Sequence, residues 1–490
     1  MNINPEIINS LTQERILILG LGREGLSTYN FLRQYLPTQT LGVADLNTNL
    51  PSTLNSDKNL VAYLGANYLE NLEQFTLIFK TPGIPLTTPQ IKKAVESGVK
   101  LSSNLQLLLE IIALEKRSSD IKLLNLPTPL TIGVTGTKGK STTASLIHHT
   151  LKHNKIDAVL VGNIGKPALE EVDHIHKNGV FVIEMSSHQL SQLTISPDIA
   201  VVQKITSEHL DYYKDTDEYI RSKEAITRYQ KVNQYVIFNP NKKNTTKIAD
   251  LSPGIKQKFV TNEVQSVKNT DIEIYLKSYY LTFRYNKFEE KIIHQNQIPL
   301  LGTHNLQNIA PSIIIGKLFE LTATQISNAI SSFTPLPHRL EMVGVINNVT
   351  YVNDSMATMP DATISALSCF DNNEIILLAG GHERNQDFKL LAKKIISGNV
   401  TAVGLFPENG KRLGEEIKNE LLNQKVNKDI KTKIVNSMDE AMEFSKKFSK
   451  KNSVVLLSPG AASFGVFKDY ADRGNQFKKL VNEMQNIKKD

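Results

Sequence analysis

Lys140 has the setting in this sequence that most directly suggests chemistry. It lies in the run Gly136-Thr137-Lys138-Gly139-Lys140-Ser141-Thr142, which follows the apolar stretch TIGVTG (131–136) and opens a helical pattern, STTASLIHHTLKHN. Glycines let backbone N–H groups curl around phosphate oxygens, a lysine reaches the terminal phosphates, and a hydroxyl from Ser141 or Thr142 can hold Mg²⁺. The common phosphate-loop pattern has its first glycine where this chain has Val134; here Gly136 stands closer in, giving G-x-x-G-K-S. A second glycine loop, Gly20-Leu21-Gly22-Arg23-Glu24-Gly25, follows the apolar run RILILG, and Asp45 closes the next run, 45 − 25 = 20 residues past Gly25. Taken alone, this is a dinucleotide fingerprint with the acid on a ribose. A hydride-transfer site and a second mononucleotide half are not found, and a phosphate loop does no hydride chemistry. A nucleotide-linked substrate, its phosphates at the helix N-terminus, is the preferred reading; NAD or FAD is the minority one.

Further candidates follow the strand patterns. Glu184 ends VFVIE (180–184), and His209 follows the next apolar run, in KITSEHLD. Ligands of parallel sheets sit at the carboxyl ends of strands, and a carboxylate facing ATP can carry Mg²⁺. Lys223, in YIRSKEAI, reads by itself as a solvated helix lysine, and HNLQN (304–308) as a polar cap. In the last third, NDSMAT (353–358), GGHERNQDF (380–388) and SPGAASFGVF (458–467) each follow a strand pattern. Asp354 can hold a ribose there, and Arg384 can pair with a carboxylate through its planar fork.

The elements that must position these residues alternate apolar runs with helical patterns almost throughout. That grammar predicts parallel sheets covered by helices on both faces. Between residues 257 and 300 the pattern changes to alternation with period two, which predicts a small antiparallel patch. A charged, then proline-containing stretch before residue 131 and the prolines at 335 and 337 mark two boundaries. The expected architecture is three α/β domains: 1–122, a Rossmann-like domain for a nucleotide-linked substrate; 123–335, a central phosphate-loop domain carrying the antiparallel patch; and 336–490, a second Rossmann-like domain. The length of 490 residues agrees with about three domains.

Composition narrows the class. The chain has 56 Lys+Arg against 49 Asp+Glu, a net charge of +7, which suits an enzyme of anionic substrates and does not by itself require nucleic acid. A hydrophobic content of 40% excludes a disordered chain. The single cysteine, Cys369, excludes a disulfide framework and a cysteine-based zinc site. The first residues lack the apolar core of a signal peptide, and no apolar run reaches membrane-spanning length. The expectation is a cytoplasmic monomer that binds small molecules and no nucleic acid.

At this point the sequence resembles a known family. GVTGTKGKST, GNIGKPAL (162–169), EMSSHQL (184–190), SEHLDYY (207–213) and YIRSK (219–223) occur in the order seen in the Mur ligases, the ATP-dependent amide-forming enzymes of peptidoglycan synthesis. LGTHNLQNIA, LPHRLE (336–341), NDSMAT and LLSPGAASFGVFKDYADRGNQF (456–477) continue the match over nearly the whole chain. GLGREGLS, TPGIP (81–85), LSPGAAS and RGNQF resemble the branch that adds D-glutamate to UDP-N-acetylmuramoyl-L-alanine.

The resemblance implies roles. Gly20, Gly22, Arg23 and Gly25, with Asp45 and Gly83, would hold the uridine end of that substrate, and Asn163 would contact it too. The loop Gly136 to Thr142, through Lys140 above all, would hold ATP. Ser141, Glu184 and His209 would hold Mg²⁺, joined by Lys223 if carbamylated by CO₂. Lys140, His209 and Lys223 are the implied catalytic residues. Asn308, Arg339 and Asp354 would face ATP; Thr358, Arg384, Ser463 and Tyr470 would hold the incoming amino acid. The third domain is expected to swing closed over the reactants. The sequence departs from the family pattern at Met356, where a lysine is usual, at Arg384 for lysine, at His188 for phenylalanine, at Lys204 and Glu208, and at Gly465.

Overall fold

The computed structural model describes residues 3–116, 126–177, 179–206, 208, 212–260, 272–302, 304–424 and 428–486. The chain forms two compact units. One comprises residues 1–297 and 306–333, the other residues 298–305 and 334–490.

The first unit contains two sheets. Five parallel strands, β1 (Ile16–Leu19), β2 (Leu41–Asp45), β3 (Leu60–Leu64), β4 (Leu77–Lys80) and β5 (Lys100–Ser102), lie in the order β3-β2-β1-β4-β5. The chain leaves β1 to one side and returns to β4 on the other. A crevice therefore opens past the carboxyl ends of β1 and β4, the switch point where such sheets bind ligands. The second sheet has nine strands: β6 (Leu130–Thr135), β7 (Ala158–Gly162), β8 (Val180–Glu184), β9 (Ile199–Val202), β10 (Tyr235–Phe238), β11 (Ile255–Val260), β12 (Ile272–Lys277), β13 (Tyr280–Tyr285) and β14 (Phe288–His294). Their order is β14-β13-β12-β11-β10-β9-β6-β8-β7.

Strand β6 is buried at every position, and its neighbours β8 and β9 are equally apolar. Such unbroken burial is what a parallel strand covered on both faces requires. The helix Asn104–Glu115 is buried around most of its circumference. Its Leu105, Leu108 and Ile112 join Ile16 and Val43 of the first sheet, and Val159 and Phe181 of the second, in one hydrophobic core. The sheets of the two expected domains thus share a core, as a helix apolar all round demands.

The expected antiparallel patch is real but smaller and not separate. β12, β13 and β14 form an antiparallel meander. Residues 257–260, expected within it, belong to β11, which is parallel to β10 and to β12. The helix Lys243–Ala249 between β10 and β11 makes the crossover that a parallel pair needs. Residues 261–271 of that expectation lie outside the described residues.

In the second unit, β15 (Glu341–Ile346), β16 (Val349–Asn353), β17 (Ile375–Gly380), β18 (Val400–Phe406), β19 (Lys431–Ile434) and β20 (Val454–Leu457) take the order β15-β16-β20-β17-β18-β19. β15 and β16 are antiparallel, joined by Asn347 and Asn348 at φ +53° and +60°. Two such residues suit the tight hairpin turn that follows the twist of its strands. Leu377 and Ala379 face one apolar cluster and Ile376 and Leu378 the other, so helices cover both faces of this sheet. No helix among the described residues is long and apolar enough to cross a membrane.

Candidate active site

The register of the second sheet builds the centre of the site. Val134 of β6 pairs with Glu184 at the end of β8, and Gly162 at the end of β7 pairs with the same Glu184. The loop after β6 therefore emerges beside Glu184. Gly139 caps the helix Lys140–His153 at φ +88° and offers no side chain to its first-turn amides. A helix N-terminus of this kind points N–H groups at an anion, and the helix dipole favours one there. A Cβ at Gly139 would stand 2.2 Å from the Asn308 side-chain oxygen, so only glycine allows the helix Asn305–Leu318 to approach so closely. Asn308 is thereby brought to the loop; its backbone oxygen accepts from the Thr143 hydroxyl at 3.2 Å. Lys140 Nζ donates to the Thr137 carbonyl at 2.9 Å. The Thr137 hydroxyl donates to the Thr206 carbonyl and accepts from the Thr206 amide. The phosphate loop and the loop after β9 are thus laced together.

Glu184 is 0% exposed. One of its carboxylate oxygens accepts from Asn163 Nδ2 at 3.1 Å. The other, Oε2, is buried and has no partner among the described residues, and the same holds for the Thr142 hydroxyl. A buried carboxylate oxygen without a partner is costly, so Glu184 marks a place for a cation. Among the described residues no three His, Cys, Asp or Glu converge as a metal cage. Mg²⁺ needs none: it takes one or two protein oxygens and fills its octahedron with phosphate and water. Glu184 and Thr142 fit it; of the two hydroxyls weighed from the sequence, Thr142 is the buried one without a partner. His209 lies outside the described residues.

Lys223 is 1% exposed, far from the solvated helix lysine that its pattern alone suggests. Its Nζ stands 4.7 Å from the Tyr219 ring centre and donates to the Gly136 carbonyl at 3.3 Å. Burial, and then the charge of Lys140, push its amine well below the usual lysine range, opposed by Glu208 and Glu184. Tyr219 reaches Thr137 at 3.0 Å, and its ring packs edge-on against Tyr213. Tyr213 in turn stacks on His188, 5.6 Å between ring centres. A histidine in place of phenylalanine keeps this aromatic wall.

At the first sheet, Asp45 accepts from the amides of Leu21 at 2.6 Å and Asn47 at 2.8 Å. It fixes the glycine loop. A Cβ at Gly25 would meet the Gly20 carbonyl at 1.9 Å, so this loop closes only with glycine there. Arg23 Nη2 donates to the Gly165 carbonyl at 2.7 Å. Gly83 sits in an exposed turn after β4.

The second unit carries its own cluster. Asp354 is nearly buried and accepts from the Leu340 amide at 3.1 Å and the Ser458 hydroxyl at 2.8 Å. Burial pushes its carboxyl up to about 6. Arg339 Nη2 lies 3.3 Å from Met356 Sδ, so Met356 occupies the flank of the arginine. Arg384 is exposed and stands 5.9 Å over the Phe464 ring, and Ser463 beside that ring is buried. The Thr358 carbonyl accepts from Gln386 at 2.9 Å, and the Tyr470 carbonyl from Ser355 at 2.7 Å. Sequence reasoning assigned no role to Arg473. It is 0% exposed and donates to the carbonyls of Ser355 and Ala461, binding the loop after β16 to the loop after β20. The RGNQF motif carried the only signal for it.

These features, a glycine loop opening a helix in the sheet that carries a buried carboxylate, a buried lysine and a Rossmann-like sheet with its own glycine loop, are those of a nucleotide-binding α/β protein. Three family profiles match the chain: the Mur ligase MurD-like N-terminal domain at residues 14–103, the Mur ligase middle domain at 134–316, and the Mur ligase glutamate ligase domain at 338–460. A UDP-N-acetylmuramoylalanine–D-glutamate ligase of Acetivibrio thermocellus is 30% identical over 97% of each chain. Its counterpart in Enterococcus faecalis is 30% identical over 98% of each. Among solved structures, a UDP-N-acetylmuramate–alanine ligase of Thermotoga maritima aligns with a TM-score of 0.56 at 18% identity, covering 96% of this chain and 99% of that one. A MurF ligase of the same organism, in complex with ADP, gives 0.54 at 16%, covering 96% and 95%. The chain belongs to the Mur ligase family, whose members are ATP-dependent amide-forming ligases with this three-domain α/β fold.

In the role that the family resemblance implies, Asp354 accepts from a ribose hydroxyl, most strongly when ionised. As pH falls through about 6 that charge is lost. Affinity for a non-hydrolysable ATP analogue is expected to drop about fivefold, ~1 kcal/mol, between neutral and mildly acid pH, as for one lost hydrogen bond. Fluorescence titration should show this slope in the parent chain and a flat profile in Asp354→Asn.

Proposed function

We propose that this chain joins D-glutamate to UDP-N-acetylmuramoyl-L-alanine with ATP and Mg²⁺, acting in the cytoplasm as a monomer in peptidoglycan precursor synthesis. The observation that carries the reading is the near full-length similarity to D-glutamate ligases together with the buried, half-satisfied carboxylate of Glu184 beside the phosphate loop.

A carboxylate does not react with an amine in water, because oxide is a poor leaving group. In this reading, an oxygen of the alanyl carboxylate attacks the γ-phosphorus of ATP, the bond to ADP breaks, and an acyl phosphate forms. The D-glutamate amine then attacks the carbonyl carbon. Phosphate leaves with the former carboxylate oxygen, and the amine proton passes to a base; His209 or a carboxylate is the candidate. Lys140 and the amides after Gly139 stabilise charge on the transferring phosphoryl group. Mg²⁺, when bound, offsets phosphate charge, and Glu184 and Thr142 would hold it. The glycine loop at Gly20 to Gly25, Asp45, Gly83 and Asn163 bind the UDP substrate. In the second unit, Arg339 and Asp354 serve ATP, while Thr358, Arg384, Ser463 and Tyr470 form the amino-acid pocket. Arg384 meets a carboxylate through two parallel hydrogen bonds where a lysine offers a point charge.

Lys223 is read as a carbamate. A buried amine held neutral keeps its lone pair. That nitrogen attacks the carbon of CO₂, an N–C bond forms, and the proton leaves to solvent. The product is an acidic side chain beside Glu184 instead of a buried cation. Incubation with carbon-labelled bicarbonate is expected to give a carbamate resonance in the parent chain and none in Lys223→Arg; the same resonance in both would remove Lys223 from this role.

The activity is tested by phosphate release from ATP and Mg²⁺ with UDP-N-acetylmuramoyl-L-alanine, offering D-glutamate, L-glutamate, L-lysine and diaminopimelate separately. Release with D-glutamate alone is expected. Release with another acceptor only would reassign the pocket around Arg384, and silence with all four would contradict the reading.

A further inference from the structure

Two adjacent residues of the first glycine loop reach across to the second sheet on either side of Glu184. Arg23 Nη2 donates to the carbonyl of Gly165, in the loop after β7. From the same loop, the Asn163 amide donates to the Glu184 carbonyl at 3.0 Å and its side-chain Nδ2 donates to Glu184 Oε1 at 3.1 Å. On the other side, Glu24 Oε1 accepts from Gln189 Nε2 at 2.6 Å. The amide of Gln189 cannot turn round, because its Oε1 already accepts from the Ser186 amide at 2.9 Å and the Ser186 hydroxyl at 3.1 Å, a closed capping box. Ser186 is two residues past Glu184. The path from Arg23 through Gly165, Asn163, Glu184, Ser186 and Gln189 to Glu24 is a closed ring.

The ring is costly to build, which argues that it is more than packing. Glu24 Oε2 is buried without a partner among the described residues, and burial pushes its carboxyl up. Its counter-charge is Lys80, itself 2% exposed at the end of β4, with Nζ donating to the carbonyls of Thr81 at 3.0 Å and Ile84 at 2.6 Å. The same amine therefore also shapes the turn that carries Gly83. A buried lysine and a half-buried carboxylate with one buried oxygen are maintained where two apolar side chains would be cheaper.

We propose that Arg23 and Glu24 are positioning residues for Glu184: together they hold the segments flanking it and so fix the metal-binding carboxylate relative to the glycine loop of the first sheet. A substrate with its nucleotide on that loop and its reacting carboxylate at the metal needs this spacing held. The inference rests on the reading of Glu184 as a metal ligand and reassigns Arg23 from substrate contact to support.

Partners behind a metal ligand are worth roughly tenfold or more in metal affinity. The test is Mn²⁺ binding to the full chain with ADP, followed by paramagnetic resonance, for the parent, Glu24→Ala, Glu24→Gln, Gln189→Leu and the Glu24→Ala/Gln189→Leu pair. Glu24→Ala is expected to weaken Mn²⁺ roughly tenfold, with ADP affinity in the absence of metal unchanged. Glu24→Gln, which keeps an acceptor oxygen for Gln189, should stay within about twofold, and the double variant should be no weaker than Gln189→Leu alone, since that substitution already cuts the link. Full Mn²⁺ affinity in Glu24→Ala, independent effects of the two substitutions, or an equal loss of metal-free ADP binding would each overturn the proposal. The readout does not depend on the acceptor. A parent chain that binds Mn²⁺ but fails to use D-glutamate would sink the proposed function and leave this inference standing.

Discussion

The carboxylate of Glu184 is the constraint on which the rest of the site depends. Placing an acid at full burial costs several kcal/mol unless each oxygen is satisfied. Here one oxygen is bound by Asn163, the other is buried without a partner among the described residues, and the charge of Glu184 acts on the buried amine of Lys223. Pairing of β6, β7 and β8 fixes the position, because Val134 and Gly162 flank Glu184 in the ladder. A slip of one residue would turn the acid to the other face of the sheet. The order of three strands therefore decides where catalysis can occur.

Around that point the structure uses aromatic and backbone contacts more than charge. Tyr219 lies under Lys223 and touches Thr137, and Tyr213 and His188 extend the wall. This explains how the chain can carry His188 where the family pattern leads one to expect phenylalanine: the ring stacking survives. The loss of a lysine at Met356 is answered differently, since the methionine sulfur packs on Arg339 and leaves that arginine as the cation of its loop. Arg473 does for the second unit what the ring at Glu184 does for the first, tying two strand-end loops so that both face one edge of the sheet.

Much of this was legible in the sequence. The three α/β grammars, the phosphate loop and Glu184 follow from apolar runs that end in glycines or acids, a local signal. The ring from Arg23 to Glu24 was not legible, because Gln189 and Glu24 are far apart in sequence and meet only once two sheets share a core. Lys223 looked like a surface residue until burial showed otherwise, and only the family resemblance raised it. Arg473 was hidden for the same reason: a charged residue in a polar helix gives no sign that it is fully buried. Residues 257–260 misled because alternation reports a half-buried strand without naming its partner, and a helical crossover chose the parallel one. The strand Glu341–Ile346 gives little signal in the sequence because it follows a proline-containing boundary and only Ile346 in it is buried.

The central claim is that this site activates a carboxylate by transferring a phosphoryl group to it. Heavy oxygen placed in the alanyl carboxylate of UDP-N-acetylmuramoyl-L-alanine tests that most directly. Mass analysis of the phosphate released during turnover with D-glutamate should find one labelled oxygen per phosphate. Labelled substrate yielding only unlabelled phosphate would contradict an acyl phosphate and, with it, this account of Glu184 and the loop beside it.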